Sequence, residues 1–385
     1  MRKLHIAASL AVVAAVILAL AGADRNRPPS QVVDRSAASG TLAAKLDQAL
    51  AEASKASSGQ AFWAGYAIDR LMGEDSHIGS FDTRRGSRDV SIRDILAGKA
   101  VTALPENAPA DLQKAATTAL DRIERKGQPE KKVVKELGFF FKYGPGTTPV
   151  LTKVEMSNLE LSFDFEGAPL YWLGKAPEDQ SLALVESLYG RNRGEDVREN
   201  LIAAAGCHGS SKLALPFLES VLSGPDPDGL RKDATFWISQ LNDAAGLRLL
   251  AKTARADRSE EVREGAVFGI SQVELPAAAD ELISLARGAE KRDVRKQAVF
   301  WLSQMASEKS GKVLEEIAVK DGDLEIQEQA LFALSELPDN SGLDALIKLA
   351  RTHADPRIRK KAVFWLGESD DPRALDAIVA IIKEK

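Results

Sequence analysis

Apolar positions in the C-terminal half recur in register every 32 residues. Leu230, Val262, Val294, Ile326 and Ile358 open the pattern, and Ala234, Ala266, Ala298, Ala330 and Ala362 follow four residues later. Phe236, Phe268, Phe300, Phe332 and Phe364 come next. Inside one unit the spacing is helical. Val294, Ala298, Trp301, Leu302 and Met305 share one face of a 3.6-residue period. SEKSG interrupts that helix, and Val313, Leu314, Ile317 and Ala318 mark a second one before DGD at 321–323. Each unit thus predicts a helical hairpin. A hairpin this short cannot cover its own apolar side, whereas stacked copies bury a continuous core. Weaker copies, VRENLIAAAG at 197–206 and YWLG at 171–174, extend the pattern upstream. The expected architecture is an α-helical solenoid of six to seven hairpins over 161–385.

Residues DPRIRKKAVFWLG (355–367), RDVRKQAVFWLS (292–303) and EEVREGAVFGIS (260–271), each followed by a second apolar helix, carry a family resemblance. This part of the chain, about 168–385, resembles the HEAT-repeat family in its short bacterial form. The resemblance implies a curved stack with a concave binding face. It names no single function, because such arrays serve many unrelated ones.

The phenylalanines stand apart from the Ala/Leu face. Their neighbours three and four residues away are polar: Lys232, Asp233 and Gln240 around Phe236, and Lys296, Gln297 and Gln304 around Phe300. The same holds for Phe268, Phe332 and Phe364. Two readings follow. The rings pack sideways between successive first helices, or they form an exposed aromatic stripe that binds a partner. On the second reading Phe236, Phe268, Phe300, Phe332 and Phe364 are anchors. Lys232, Lys296, Lys360, Gln240, Gln272 and Gln304 form the polar rim. Tryptophans 172, 237, 301 and 365 alternate with Ala204, Gly269 and Ala333 at equivalent positions. Large against small predicts packing in the seam between repeats. Arg198, Arg231, Arg263, Arg295 and Arg359 form another column, with acidic residues before many of them. A structural ladder of ion pairs is expected rather than a phosphate site, with Gln327 interrupting one rung.

Residues 38–160 lack the 32-residue period and read as a small α+β domain capping the array. Helices are expected over 41–56 and 109–127, and strands over 59–69 and 159–165; VVKELGFFFKYG (133–144) is ambiguous.

At 44% hydrophobic and 28% charged the chain should fold. Its net charge of −5, without like-charge blocks, disfavours a nucleic-acid partner. Arg2 and Lys3, the uncharged run Ile6–Ala23, and Ala21-Gly22-Ala23 predict a signal peptide over 1–23, with a linker over 24–37. The alternative is an uncleaved anchor, which is the one way this chain would meet a membrane. A single cysteine, Cys207, forbids an internal disulfide and reads as a small turn residue rather than a reactive thiol. The histidines are dispersed, and no zinc, nucleophile or phosphate-loop spacing is present, so no cofactor is expected. These observations predict an exported, non-catalytic scaffold for an unidentified protein partner. The alternatives are an enzyme or chaperone of the HEAT-type chromophore-lyase kind, or an anchored structural component of the cell envelope.

Overall fold

The computed structural model describes residues 27–56, 60–74, 76–79, 90–99, 131–304 and 308–383. The export segment and the helix expected over 109–127 lie outside these residues. Two compact units divide the chain, Met1–Ala214 and Leu215–Lys385.

The first unit holds a five-stranded sheet. Its strands are β1 (Val32–Asp34), β2 (Phe62–Gly73), β3 (Lys132–Tyr143), β4 (Leu151–Asn158) and β5 (Leu170–Lys175), in the order β1-β5-β2-β3-β4. β5 runs parallel to both β1 and β2, while β2–β3 and β3–β4 are antiparallel. Helices α1 (Leu42–Ala56) and α2 (Ile92–Leu96) join it, followed by α3 (Glu178–Arg191) and α4 (Glu195–Gly206). The helix read over 41–56 and the strand read over 59–69 are therefore present, as α1 and β2.

The stretch 133–144 was ambiguous for a physical reason. As β3 it is covered on both faces, which erases the alternation of a half-buried strand. On one face Tyr66 stacks on Phe139, 5.3 Å between centroids, beneath α1 and α3. On the other, Trp63, Phe140 and Trp172 pack with Ile92, Leu159 and Phe165. Phe140 fits because two strand neighbours lack a side chain. A Cβ on Gly65 would stand 2.7 Å from its ring, and one on Gly138 2.6 Å.

Two expectations fail here. The segment 159–165 is not a strand. Leu159, Leu161 and Phe165 are buried as the alternation implied, but the backbone is irregular. Its carbonyls are satisfied by the start of a helix: Ile92 N–H donates to Leu161 O at 2.9 Å and Arg93 N–H to Leu159 O at 2.8 Å. The segment covers the sheet instead of extending it. YWLG is likewise no repeat. It is β5, and Trp172 belongs to the sheet core rather than to a seam between hairpins.

Beyond α5 (Ser211–Ser223), the second unit contains five helical hairpins: α6 (Asp228–Gln240) with α7 (Ala244–Ala256), α8 (Glu260–Gln272) with α9 (Pro276–Gly288), and α10 (Arg292–Gln304) with α11 (Glu308–Lys320). Then come α12 (Leu324–Ser335) with α13 (Leu343–Thr352), and α14 (Pro356–Gly367) with α15 (Pro372–Lys383). Asp243, Asp323 and Asp355 cap three helices by accepting a backbone N–H of the first turn. The first helices α6, α8, α10, α12 and α14 form one layer, more closely packed than the layer of second helices. In a curved stack the closer-spaced layer is the inner one. Gly265 and Gly269 contribute to this proximity, since a Cβ on Gly265 would stand 2.8 Å from Lys232 Cγ.

The arginine column is structural, as expected. Each side chain ties a first helix to the residue that ends the preceding one. Arg263 Nη1 donates to Asp257 O at 2.9 Å, Arg295 Nη1 to Ala289 O at 2.9 Å, and Arg359 Nη1 to His353 O at 2.6 Å. Buried Arg231 and Arg263 also pair with Asp257 and Asp293 in the next turn. Gln327 keeps the carbonyl bond, donating to Asp321 O at 2.8 Å.

Candidate functional site

The inner helices carry the aromatic column. On α10, Val294, Ala298, Val299 and Leu302 are buried, which turns Phe300 away from the core. None of the five phenylalanines is buried. Phe268, Phe300 and Phe332 are half-buried, while Phe236 and Phe364 are 37% and 51% exposed. Phe236 and Phe268 stack across adjacent repeats, 6.4 Å apart and 7° from parallel.

The tryptophans join this column. Trp237, Trp301 and Trp365 are half-buried, each set edge-on to the phenylalanine before it at 5.2, 5.0 and 5.0 Å. Trp301 also meets Phe268, and Trp365 meets Phe332, one repeat back. Their place in the seam was legible; their partial exposure within the aromatic surface was not. Lys361 Nζ lies 5.7 Å from the Phe364 ring and 5.9 Å from Trp365, within the range of a cation–π contact.

The rim separates into two kinds of residue. Lys232 is paired with Glu261 at 3.1 Å and Lys296 with Glu325, so these cations tie neighbouring repeats together. Lys360 is exposed. Gln240, Gln272 and Gln304 are exposed and oriented. Each Nε2 donates to the preceding serine hydroxyl, at 3.3, 3.0 and 3.1 Å. Ser239, Ser271 and Ser303 in turn donate to the carbonyls of Phe236, Phe268 and Phe300 at 2.6–2.7 Å. The carboxamide oxygen is thereby turned outward beside the ring. Sequence reasoning missed the serines, although Ser-Gln follows the phenylalanine at the same interval in all three repeats.

A second polar constellation lies in the first unit and had no sequence signal. Ser181 Oγ stands 2.8 Å from both His208 Nε2 and Tyr66 Oη. His208 Nδ1 faces the carbonyls of Ala204 and Ala205 at 2.9 and 3.1 Å. Those acceptors put the ring proton on Nδ1 and leave Nε2 to accept. The chain therefore runs one way, from Tyr66 through Ser181 to His208. It resembles an activated serine only in its distances, because Tyr66, Ser181 and His208 are at most 1% exposed. Burial also depresses the His208 pKa and pushes the adjacent Cys207 thiol up to about 11. Among the described residues no cluster of three or more His, Cys, Asp or Glu side chains is arranged to hold a metal.

Residues 247–335 and 312–385 match the family model for HEAT repeats. This stretch is a HEAT-repeat array. No curated protein matches the chain. Similar solved structures include human deoxyhypusine hydroxylase in complex with glycerol, at 17% identity over 53% of this chain and 81% of that one, TM-score 0.24. The complex of CpcE and CpcF of phycocyanin lyase from Nostoc sp. PCC7120 matches at 21% identity over 53% and 82%, TM-score 0.26. The Cnd3–Cnd2 condensin subcomplex of S. pombe matches at 16% identity over 54% and 32%, TM-score 0.30.

Proposed function

We propose that this chain is an exported, non-catalytic scaffold that seats a protein partner along the inner, concave face of its HEAT repeats. HEAT repeats suggest a protein-interaction scaffold, and one observation supports this face: a column of five unburied phenylalanines on the closer-packed helix layer. Beside three of them stands a carboxamide oriented by serine. Apolar rings supply contact area, and fixed amides can hydrogen-bond a polypeptide backbone. Export is supported by the charged start and uncharged run of residues 1–23. The absence of catalysis is supported by the sealed Ser181–His208 pair and the raised Cys207 thiol.

Paired capture from native envelope extract tests the reading. One bait is residues 24–385, and the other also carries Phe268→Ser, Phe300→Ser and Phe332→Ser, with helicity and melting checked first. A protein held by the first bait and lost from the folded variant supports the assignment. Equal recovery by both removes the aromatic face from the function.

A further inference from the structure

The arginine ladder has one altered rung, and a cavity lies beside it. Arg231 and Arg263 pair with Asp257 and Asp293 in the following turn, and Arg295 lies 3.7 Å from Asp321 and Asp323. In the fourth hairpin the equivalent residue is Gln327, shorter and uncharged, and the opposing position is His353. Between them opens a cavity of about 630 Å³, lined by Val319, Leu324, Gln327, Lys348, His353 and Arg357 among others. The groove floored by Arg295 measures about 520 Å³.

The chemistry of this cavity is weighted toward donors. Asp355, its carboxylate, already has a cation: Arg357 from the same turn approaches both oxygens through Nε at 3.2 Å and one through Nη2 at 2.7 Å. A guanidinium entering from outside would compete with one in place. His353 is 9% exposed. Its Nδ1 accepts the Asp355 backbone N–H at 3.1 Å, which places the ring proton on Nε2. A mostly buried imidazole thus has an N–H left to offer. Lys348, held at 2.6 Å by Glu315, and Arg357 bring two positive charges against the single charge of Asp355. Val319, 47% exposed, and Leu324 supply an apolar wall.

We propose that this groove binds a small organic carboxylate, with His353 Nε2–H and the Arg357 and Lys348 cations on its oxygens and its aliphatic part against Val319 and Leu324. The altered rung created the space, and the compensating arginine set its charge preference. The site is independent of the aromatic face.

Calorimetry and imidazole ¹H–¹⁵N spectra of the full chain, titrated with hexanoate and separately with hexylamine, test this. Hexanoate should shift the His353 Nε2 signal saturably and hexylamine should not. Gln327→Arg, which restores the rung, should weaken hexanoate binding by about tenfold or more without lowering the melting temperature. His353→Gln, read by calorimetry, carries the same expectation should the first variant fail to fold. No saturation in the millimolar range, equal binding of the amine, or undiminished binding by the folded variants would each overturn the assignment.

Discussion

The indole of Trp301 lies 5.1 Å from the ring of Phe268, which belongs to the preceding repeat, and 5.0 Å from Phe300 in its own helix. A single side chain thus joins the seam to the exposed column. Trp301→Ala should cost about 2 kcal/mol, less than the roughly 3–5 kcal/mol of a fully buried tryptophan, because the ring is half-buried. Phe364→Ala, with its ring 51% exposed, should cost under about 1 kcal/mol. Urea unfolding of both variants measures the contrast; equal losses would make Phe364 a packing residue.

Arg263 is 7% exposed and spends Nε on Asp293 at 2.7 Å and Nη1 on the carbonyls of Asp257 and Arg258. Arg263→Met leaves a carboxylate only 14% exposed without its cation. A loss of about 3 kcal/mol is expected. Arg292, 57% exposed and paired with Asp323 and Glu325, is a surface case. Arg292→Ala should leave the urea midpoint where it was, and a comparable drop in both variants would remove the distinction between ladder and surface.

His208 gives the first unit a pH dependence of known sign. Burial is the main cause of its lowered pKa; backbone acceptors and Glu178 oppose that shift, while Arg70 reinforces it. The unfolded chain binds the proton near 6.5. Above that value both states are neutral, and stability is at its full level. As pH falls below it the unfolded state takes up the proton first, so stability declines toward the lower folded value. The slope approaches about 1.4 kcal/mol per pH unit. Denaturation between pH 7.5 and 5 should show this slope in the native chain and a reduced one in His208→Gln. Identical slopes would exclude the histidine as its source.

Cys207 ends α4 and is 2% exposed. With its thiol raised from 9.0 to about 11, the thiolate fraction at pH 8 falls by about two orders of magnitude before access is considered. Iodoacetamide should modify the native chain at least about 100-fold more slowly than the urea-unfolded one. Comparable rates would place the thiol at the surface.

The repeat array was legible because its signal is redundant. Five copies of one helix fix the period, and Ala234, Ala266, Ala298, Ala330 and Ala362 mark the buried face in every copy. The sheet domain offered one copy of everything. β3 hid its strand character by being buried twice over, and 159–165 displayed alternation while bonding its backbone to a helix start. Trp172 matched the repeat register by coincidence of spacing. For the candidate site, helical geometry was enough to lift the phenylalanines off the core. It could not reveal that Ser239, Ser271 and Ser303 orient the glutamines, because those bonds depend on rotamers. The groove at Gln327 was foreshadowed only as a missing arginine; the orientation of His353 had no signature in the sequence.

The alternation of Trp237, Gly269, Trp301, Ala333 and Trp365 bears on how such a chain can change length. Removing or duplicating a block of 64 residues leaves every tryptophan helix beside one carrying a small residue. It also keeps Lys232 and Lys296, which head tryptophan helices, facing helices that begin with glutamate at the matching position. A block of 32 residues would set two indoles side by side. The array is therefore written in double strides, and growth or shortening by pairs of hairpins keeps its aromatic surface in phase.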